Sequence, residues 1–203
     1  MRRLFWTILL CKLIVIMFLT IHCTKEQITS SQFSNSHEIG TIVGDFELET
    51  VDGKIFRLSD YKGEKIVVIE LGACTWPPYL SKISEMDKIY MDFKDKDVIF
   101  YSLYTREPHP GQIRGGYDFS DIKQTQTHEE RVAYAEEMIE QTKQKRPIII
   151  DTFGENCIQN TLGGGMPNSA FIIDKEGKLA LWQKWSDPNA IRAKLEEMTG
   201  NPN

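Results

Sequence analysis

Alternating apolar and polar residues mark the start of a folded domain in this chain. Phe46–Thr50 and Lys54–Leu58 alternate on either side of Asp52-Gly53, and an Asp-Gly pair between two such runs is a strong hairpin signal. A run rich in β-branched residues, Ile66–Leu71, follows a polar turn at 59–63. The pattern therefore predicts a β-hairpin and then a buried central strand.

The period of the apolar residues changes after Pro77-Pro78. Apolar side chains recur at helical spacing between Leu80 and Phe93, with Lys, Glu and Asp between them, which predicts a helix that runs to about Lys96. Val98–Tyr104 is the next apolar run. Because a full helix separates it from the central strand, we expect the two strands to be parallel neighbours joined by a right-handed crossover.

The second half of the chain continues this alternation, which is typical of the α/β class. Residues 117–127 are polar and irregular, and Asp174–Gly177 is a turn between two short apolar runs that predicts a second hairpin. The predicted elements are a helix over about His128–Gln144, a strand at Pro147–Asp151, a short helix at Cys157–Leu162, strands at Ala170–Ile173 and Leu179–Trp182, and an amphipathic helix at Ile191–Met198.

An almost wholly apolar stretch, Leu4–Ile21, precedes the domain. Lys12 lies near its middle, where a charge costs about 2.5–3.5 kcal/mol in a membrane-spanning helix, so a secretory signal fits better. Cys23 follows after His22, and this arrangement resembles the lipid-attachment site of bacterial lipoproteins, although His22 replaces the small residue expected there. Three forms remain open: a lipoprotein attached through Cys23, an uncleaved membrane anchor, and a soluble secreted protein. In each, Arg2-Arg3 stay inside, so we expect the domain outside the cytoplasm.

The composition of the chain divides it into a leader, a tether and one domain. The stretch 24–42 is rich in Ser, Gln, Asn and Thr and is expected to be a flexible tether between the leader or anchor at 1–23 and one domain at 43–203. A chain of 203 residues, 41% of them hydrophobic, is long enough for one ordinary core. The net charge is −5 and no basic run occurs beyond the first residues, so nucleic acid is not an expected partner.

The cysteines and glycines indicate neither a disulfide scaffold nor a cofactor site. Four cysteines are present, but only Cys74 and Cys157 fall in the domain. The two could approach each other and pair. The scattered His and Cys residues lack the spacing of a zinc site, and Gly163–Gly165 lacks the Lys-Ser/Thr of a phosphate-binding loop. We therefore expect no metal and no cofactor.

The junction Gly72–Tyr79, where the central strand ends and a helix begins, is the candidate reactive site. The free N–H groups and the dipole at a helix N-terminus stabilise a thiolate there. Trp76 stands where a nucleophile is expected. Cys74 is the nearest thiol, and it is either a working thiol with a lowered pKa or a small residue packed at the end of the strand.

The loop after the second parallel strand, Thr105–Gly111, ends at the same sheet edge, where open α/β sheets bind their ligands. His109 is held between two prolines and could donate or accept a proton near neutral pH, or be an exposed loop histidine. Glu107 could orient His109, bind substrate, or be solvated.

The order of these elements resembles that of the thioredoxin-like fold, with the first hairpin as an N-terminal extension. Residues 46–63 look like the first segment of the redoxins. Closer still, four blocks resemble the iodothyronine deiodinases in order and spacing: Gly72–Tyr79, Tyr104–Pro110, Ile122…Arg131 and Ile149–Thr152.

The resemblance implies a role for each matching residue. The deiodinase selenocysteine falls on Trp76, its neighbouring cysteine on Cys74, and the Glu-x-His of the family's active-site loop on Glu107 and His109. A second family histidine falls on Thr125.

The redoxins imply further positions. Their two cysteines fall on Trp76 and Tyr79, and Met166-Pro167 occupies the place of the cis-proline beside the nucleophile. Tyr79, Met166 and Pro167 would therefore line the substrate groove.

Two functions remain open. One is an oxidoreductase in which Cys74, or a selenocysteine at position 76, attacks a disulfide, a peroxide or a carbon–halogen bond, with His109 moving the proton and a thiol as reductant. The other is a non-catalytic module that binds a peptide or a small aromatic ligand in the same groove. Trp and selenocysteine codons differ by one base, UGG against UGA, so codon 76 separates the two.

Overall fold

The computed structural model describes residues 37–200. The predictions for the apolar stretch and for Cys23 lie outside the described residues. Within 37–200, no helix is long and apolar enough to cross a membrane.

One mixed sheet organises the domain. The strands are β1 Glu47–Thr50, β2 Ile55–Arg57, β3 Ile66–Gly72, β4 Val98–Tyr104, β5 Ile113–Arg114, β6 Tyr117–Asp118, β7 Ile148–Ile150, β8 Ala170–Ile173 and β9 Leu179–Gln183. The helices are α1 Pro77–Leu80, α2 Ile83–Phe93, α3 His128–Thr142 and α4 Pro188–Thr199, with a 3-10 turn at Leu58–Tyr61. Seven strands form the sheet in the order β2-β1-β7-β4-β3-β8-β9, and β5 and β6 form a separate hairpin.

The register of the sheet confirms the predicted topology. The parallel strands β3 and β4 pair from Ile66 with Val98 to Gly72 with Tyr104, and β7 adds to β4 in parallel. The first hairpin pairs antiparallel and joins the sheet through β1, and β8 and β9 form the second hairpin. The carboxyl ends of β3, β4 and β7 therefore meet at one edge of the sheet.

Both faces of the central strand are covered, which explains its continuous apolar run. Every residue of β3 is buried. Ile66 and Val68 pack with α2 and α4 on the helical face. Val67 and Ile69 face the opposite side, in a cluster with the first hairpin and with Ile158.

Three local predictions are corrected by the structure. The helix predicted to run from the Pro77-Pro78 pair to about Lys96 is interrupted after Leu80 and ends at Phe93. No helix forms at 157–162, where the structure has a series of turns; the Asp151 carboxylate accepts hydrogen bonds from the backbone N–H groups of Ile158 and Gln159. The irregular stretch at 117–127 contains β6.

The described part of the predicted tether lies against the domain. Ile42 forms an isolated antiparallel bridge with Lys178, and the His37 ring stacks on Trp182 with centroids 4.0 Å apart. Residues 37–42 thus add to the edge of the last hairpin, while the tether at 24–36 and the leader stay predictions.

A buried ion network joins the helical face to the centre of the sheet. Arg146, at 2% exposure, donates through Nη1 to Glu70 of β3 and through Nε to Asp87 of α2 at 3.0 Å. The backbone N–H of Lys145 donates a hydrogen bond to the second oxygen of the Asp87 carboxylate at 2.8 Å. Burial alone would lower the pKa of Arg146, but the neighbouring Glu70 outweighs it and raises that pKa above its usual value.

We expect Arg146→Met to lower the free energy of unfolding by about 3–5 kcal/mol, because two buried carboxylates lose their cation. Urea unfolding monitored by circular dichroism measures the effect. The control is Lys145→Met, one residue away and exposed, which should change stability by less than about 0.5 kcal/mol. Equal effects of the two substitutions would contradict a structural role for the network.

Candidate functional site

The turn after β3 is fixed by a close approach of two residues. Gly72 lies so near the Tyr79 ring that a Cβ at this position would be 2.4 Å from its carbon atoms. Tyr79 is fully buried, and its hydroxyl donates to Gln144 Oε1 at 2.5 Å. The prediction that Tyr79 lines the groove is therefore wrong, because its ring packs into the core beneath the junction.

The Glu107 carboxylate is the polar centre of the site. It is buried and accepts hydrogen bonds from the Thr75 backbone N–H at 3.0 Å, from Thr75 Oγ1 at 2.6 Å and from the Tyr104 hydroxyl. Cys74 Sγ donates to the same carboxylate at 3.4 Å. Four donors thus converge on the buried Glu107 carboxylate, and their hydrogen bonds compensate for burying its charge. The same bonds hold the loop after β3 against the loop after β4.

Cys74 is not an activated thiol. Burial raises the pKa of the Cys74 thiol far above its ordinary range, and the adjacent Glu107 carboxylate raises it further. The expected stabilisation of a thiolate by the helix start is weak because Pro77 and Pro78 carry no N–H and the N–H of Tyr79 already bonds to the Trp76 carbonyl. The structure therefore contradicts a lowered pKa at Cys74.

Trp76 lies in a stack of three aromatic rings. Its indole is 5.3 Å from the His109 ring and 6.0 Å from the Trp185 ring, at interplanar angles of 26° and 18°. His109 is held in place because its backbone N–H donates to Thr75 Oγ1 at 3.2 Å. The structure thus brings Trp76 and His109 together, as the sequence predicted, and adds Trp185.

The fit of the indole is incomplete. Trp76 Nε1 is buried but has no hydrogen-bond partner, and an unpaired buried donor costs about 1–3 kcal/mol. The stack stabilises the ring faces, while the N–H of the same ring is left unsatisfied.

The segment at Met166-Pro167 differs from its predicted geometry. The peptide bonds of the described residues are all trans, so no cis-proline is present. Gly164 and Gly165, with φ of 63° and 73°, reverse the chain before this point, a conformation that favours glycine. Asn168 Nδ2 then donates to the Leu71 carbonyl at 3.1 Å, so this segment is fixed to the end of β3. Met166 and Pro167 are half-buried.

Arg131 orders the neighbouring loop after β7. It is buried on α3 and donates through Nη1 to the carbonyls of Asp151 at 2.8 Å and Thr152 at 2.9 Å, and through Nε to Thr125 Oγ1 at 3.3 Å. Its guanidinium lies 3.8 Å from the Phe153 ring centroid. Thr125, matched to a family histidine, is therefore an acceptor for Arg131 in this protein.

Sequence reasoning missed Thr75, Tyr104, Arg131 and Trp185. The position of Trp185 could have been predicted from the strand directions. Because β8 is antiparallel to β3 and β9 is antiparallel to β8, the end of β9 returns to the edge where β3 ends. Cys157, by contrast, is a buried free thiol, as Cys74 is a free thiol, so the two form no disulfide. No group of three His, Cys, Asp or Glu among residues 37–200 is arranged to hold a metal ion.

The fold and the site define a thioredoxin-like protein. Two solved structures share the architecture. A putative thiol:disulfide interchange protein DsbE from Chlorobium tepidum matches with a TM-score of 0.59 and 18% identity, covering 80% of this chain and 98% of its own. The pneumococcal exposed lipoprotein thioredoxin from Streptococcus pneumoniae matches with a TM-score of 0.53 and 28% identity, covering 76% and 99%. The predicted fold class is confirmed.

The chain belongs to the iodothyronine deiodinase family, whose model matches residues 17–197. Type I iodothyronine deiodinase of Xenopus laevis is 25% identical over 130 residues, which cover 64% of this chain and 50% of the relative. Type II iodothyronine deiodinase of Sus scrofa is 29% identical over 118 residues, covering 56% and 42%. The chain spans half or less of the length of these relatives. The resemblance read from the motifs is confirmed.

We expect Cys74 to react slowly with maleimide in the native protein, with a rate that still rises above pH 9, because its pKa is raised. Glu107→Gln removes the neighbouring negative charge and should increase the rate at pH 9 several-fold by lowering that pKa. Peptide mass spectrometry of quenched samples gives the rate against pH.

Glu155→Gln, an exposed substitution in the loop after β7, is the matched control and should leave the profile unchanged. An acceleration of Cys157 as large as that of Cys74 would show that the Glu107→Gln protein has loosened as a whole. An unchanged Cys74 rate in Glu107→Gln would contradict the electrostatic effect on Cys74.

Proposed function

We propose that this protein is a thioredoxin-fold oxidoreductase in which residue 76, and not Cys74, carries the reacting atom. The position of His109 is the observation that carries the proposal: its ring lies against the side chain of residue 76, and Thr75 fixes its backbone. Histidine is the side chain best suited to move a proton near neutral pH. Cys74 instead donates to Glu107 and has a raised pKa.

An indole cannot perform the nucleophilic step, since it has no free nucleophilic lone pair and no acidic proton near neutral pH. The proposal therefore requires selenocysteine at position 76, encoded by UGA. If the gene is translated with a genetic code in which UGA means tryptophan, the resulting sequence shows Trp76 at this position. The unpartnered indole N–H supports it, because a side chain that suits its site rarely leaves a buried donor unpaired.

The proposed reaction balances with a hydroperoxide and two thiols. The selenolate attacks one peroxide oxygen, the Se–O bond forms as the O–O bond breaks, and the alcohol leaves with the proton supplied by His109. A first thiol displaces water to give a selenenyl sulfide, and a second releases the selenolate and a disulfide. A substrate disulfide enters the same cycle directly at the selenenyl sulfide.

A carbon–halogen bond is the third substrate class. The relatives are named for deiodination of iodothyronines. A selenolate that attacks a heavy halogen would leave the electron pair of the broken bond on the carbon, where a proton supplied by His109 replaces the halogen, and would itself become a selenenyl halide. A first thiol then displaces the halide to give the selenenyl sulfide, and a second releases the selenolate and a disulfide. We propose a thiol reductant in all three cases and a membrane-attached domain outside the cytoplasm.

A second function, a non-catalytic binding module, follows if codon 76 is UGG. The ring stack favours it: the indole lies between His109 and Trp185, and Trp185 is 48% exposed. Such a surface offers a flat aromatic face to a peptide or a small aromatic ligand. The codon decides which of the two functions the gene encodes.

Trp76→Cys should create a thiol-dependent peroxidase or disulfide reductase, because the scaffold already places His109 beside the new sulfur. Activity should exceed that of Trp76→Ser, the matched variant without sulfur, by at least about tenfold, and the protein with tryptophan should be inactive. A coupled thiol-oxidation assay with hydrogen peroxide measures it.

Adding His109→Ala to Trp76→Cys should lower the rate about a hundredfold or more, whereas adding His128→Ala should not. A folded Trp76→Cys protein without activity, whose new thiol has an ordinary pKa, would leave the binding module as the function.

We also expect attachment to a membrane through Cys23, since this cysteine stands two residues after the end of an apolar segment of signal-peptide length. Metabolic labelling with a palmitate analogue should mark the wild type and not Cys23→Ser, and Cys11→Ser serves as the control that stays labelled. Equal labelling of wild type and Cys23→Ser would favour an uncleaved anchor.

A further inference from the structure

A cavity of about 600 Å³ lies beside the reactive junction, between the end of β3, the β5–β6 hairpin and α3. This volume falls within the range of small-molecule sites. Cys74 and Leu80 line it from the side of the junction, whereas Trp76 and His109 do not line it. The cavity is therefore separate from the proposed redox site, and the function proposed above assigns it no role.

Aromatic side chains form much of its wall. Tyr117, Phe119 and Tyr134 line the cavity, and the rings of Tyr117 and Phe119 stack at 5.7 Å with an interplanar angle of 6°. The Tyr134 hydroxyl accepts a hydrogen bond from the Lys123 backbone N–H at 3.1 Å, which holds this loop against α3. Such walls suit a ligand with a flat apolar body.

The charges around the cavity are all negative. Asp118, Asp121 and Glu137 line it, and no Lys, Arg or His does so among the residues that the structure describes. Asp118 accepts from the Ser120 backbone N–H at 3.0 Å and Glu137 accepts from Gln141 Nε2 at 2.9 Å, and both of these donors are neutral.

These three carboxylates are exposed and form no ion pair within 37–200, so the lining contains three negative charges and no positive one. The faces of aromatic rings favour cations as well.

We propose that this cavity binds a small organic monocation with an aromatic body, of the arylalkylamine type. The ammonium group lies at the carboxylates and the ring lies among the three aromatic side chains. Occupants with a carboxylate of their own are repelled by the same acids, so a free amino acid is a poor ligand.

The first test is a charge series on one molecular body. 2-Phenylethylamine, 2-phenylethanol and 3-phenylpropionate are titrated into the full-length protein in a non-ionic detergent, and Kd is measured by isothermal titration calorimetry. We expect the amine to bind at least about tenfold more tightly than the alcohol, the anion to bind more weakly still, and the affinity of the amine to fall with added salt. Equal affinity for the amine and the alcohol, or no measurable binding of the amine, would overturn the proposal.

The second test localises the amine with matched pairs of variants. Glu137→Gln should raise the Kd of the amine by about two- to fivefold, whereas Glu136→Gln, an exposed neighbour on α3 that does not line the cavity, should not. Tyr117→Ala should weaken binding, whereas Ile113→Ala in the same hairpin should not, since Ile113 is 76% exposed and lies outside the lining. An amine that binds Glu137→Gln and Tyr117→Ala as tightly as the wild type would lie elsewhere, and this too would overturn the proposal.

Discussion

A single buried carboxylate sets the geometry of the reactive edge. Glu107 is 2% exposed and would be costly to bury as an ion without donors, so it gathers the hydroxyls of Thr75 and Tyr104, the backbone N–H of Thr75 and the Cys74 thiol. The loops after two parallel strands are thereby joined. Because Thr75 Oγ1 donates to Glu107 and accepts from the His109 backbone N–H, the carboxylate also determines where the imidazole lies. Burial raises the pKa of the Cys74 thiol, and this carboxylate raises it further. One group thus fixes the backbone of His109 and helps to keep the nearest thiol protonated.

The core beneath the junction imposes a second constraint. Tyr79 packs against the backbone of Gly72, and its hydroxyl is held by Gln144. Gln144 in turn donates to Ser102 of β4 and to the Arg146 carbonyl, so the buried ions around Arg146 and the start of α1 belong to one polar network inside the helical layer. Most polar atoms of this network are paired, whereas Glu70 Oε1 and Arg146 Nη2 are buried without a hydrogen-bond partner, so its members have little freedom to rearrange. It fixes the helix start on which residue 76 lies, although none of these groups touches a substrate.

Periodicity and motif order were sufficient to predict the strands of the main sheet, the parallel pairing of β3 and β4, the two hairpins of that sheet and the edge on which Trp76, His109 and Glu107 meet, but not the hairpin of β5 and β6. They were insufficient wherever the outcome depends on a tertiary partner. The pKa of Cys74 depends on burial of the thiol and on a carboxylate 33 residues away. Cys157–Leu162 has a helical pattern but forms turns, and the backbone N–H groups of Ile158 and Gln159 are bound by the Asp151 carboxylate, which lies outside this segment. Tyr79 occupies a cysteine position of the redoxins and is nevertheless a core residue, because Gly72 leaves room for its ring.

Position 76 is where local and global requirements disagree. Its neighbours are arranged as a nucleophile would need them, with a proton carrier against the side chain and a rigid loop behind it, yet the residue itself has no nucleophilic atom. The indole gains stacking contacts of about 0.5–1.5 kcal/mol each and loses about 1–3 kcal/mol by burying an unpaired N–H, so the two contributions nearly cancel. A tryptophan is therefore tolerated here without being strongly preferred.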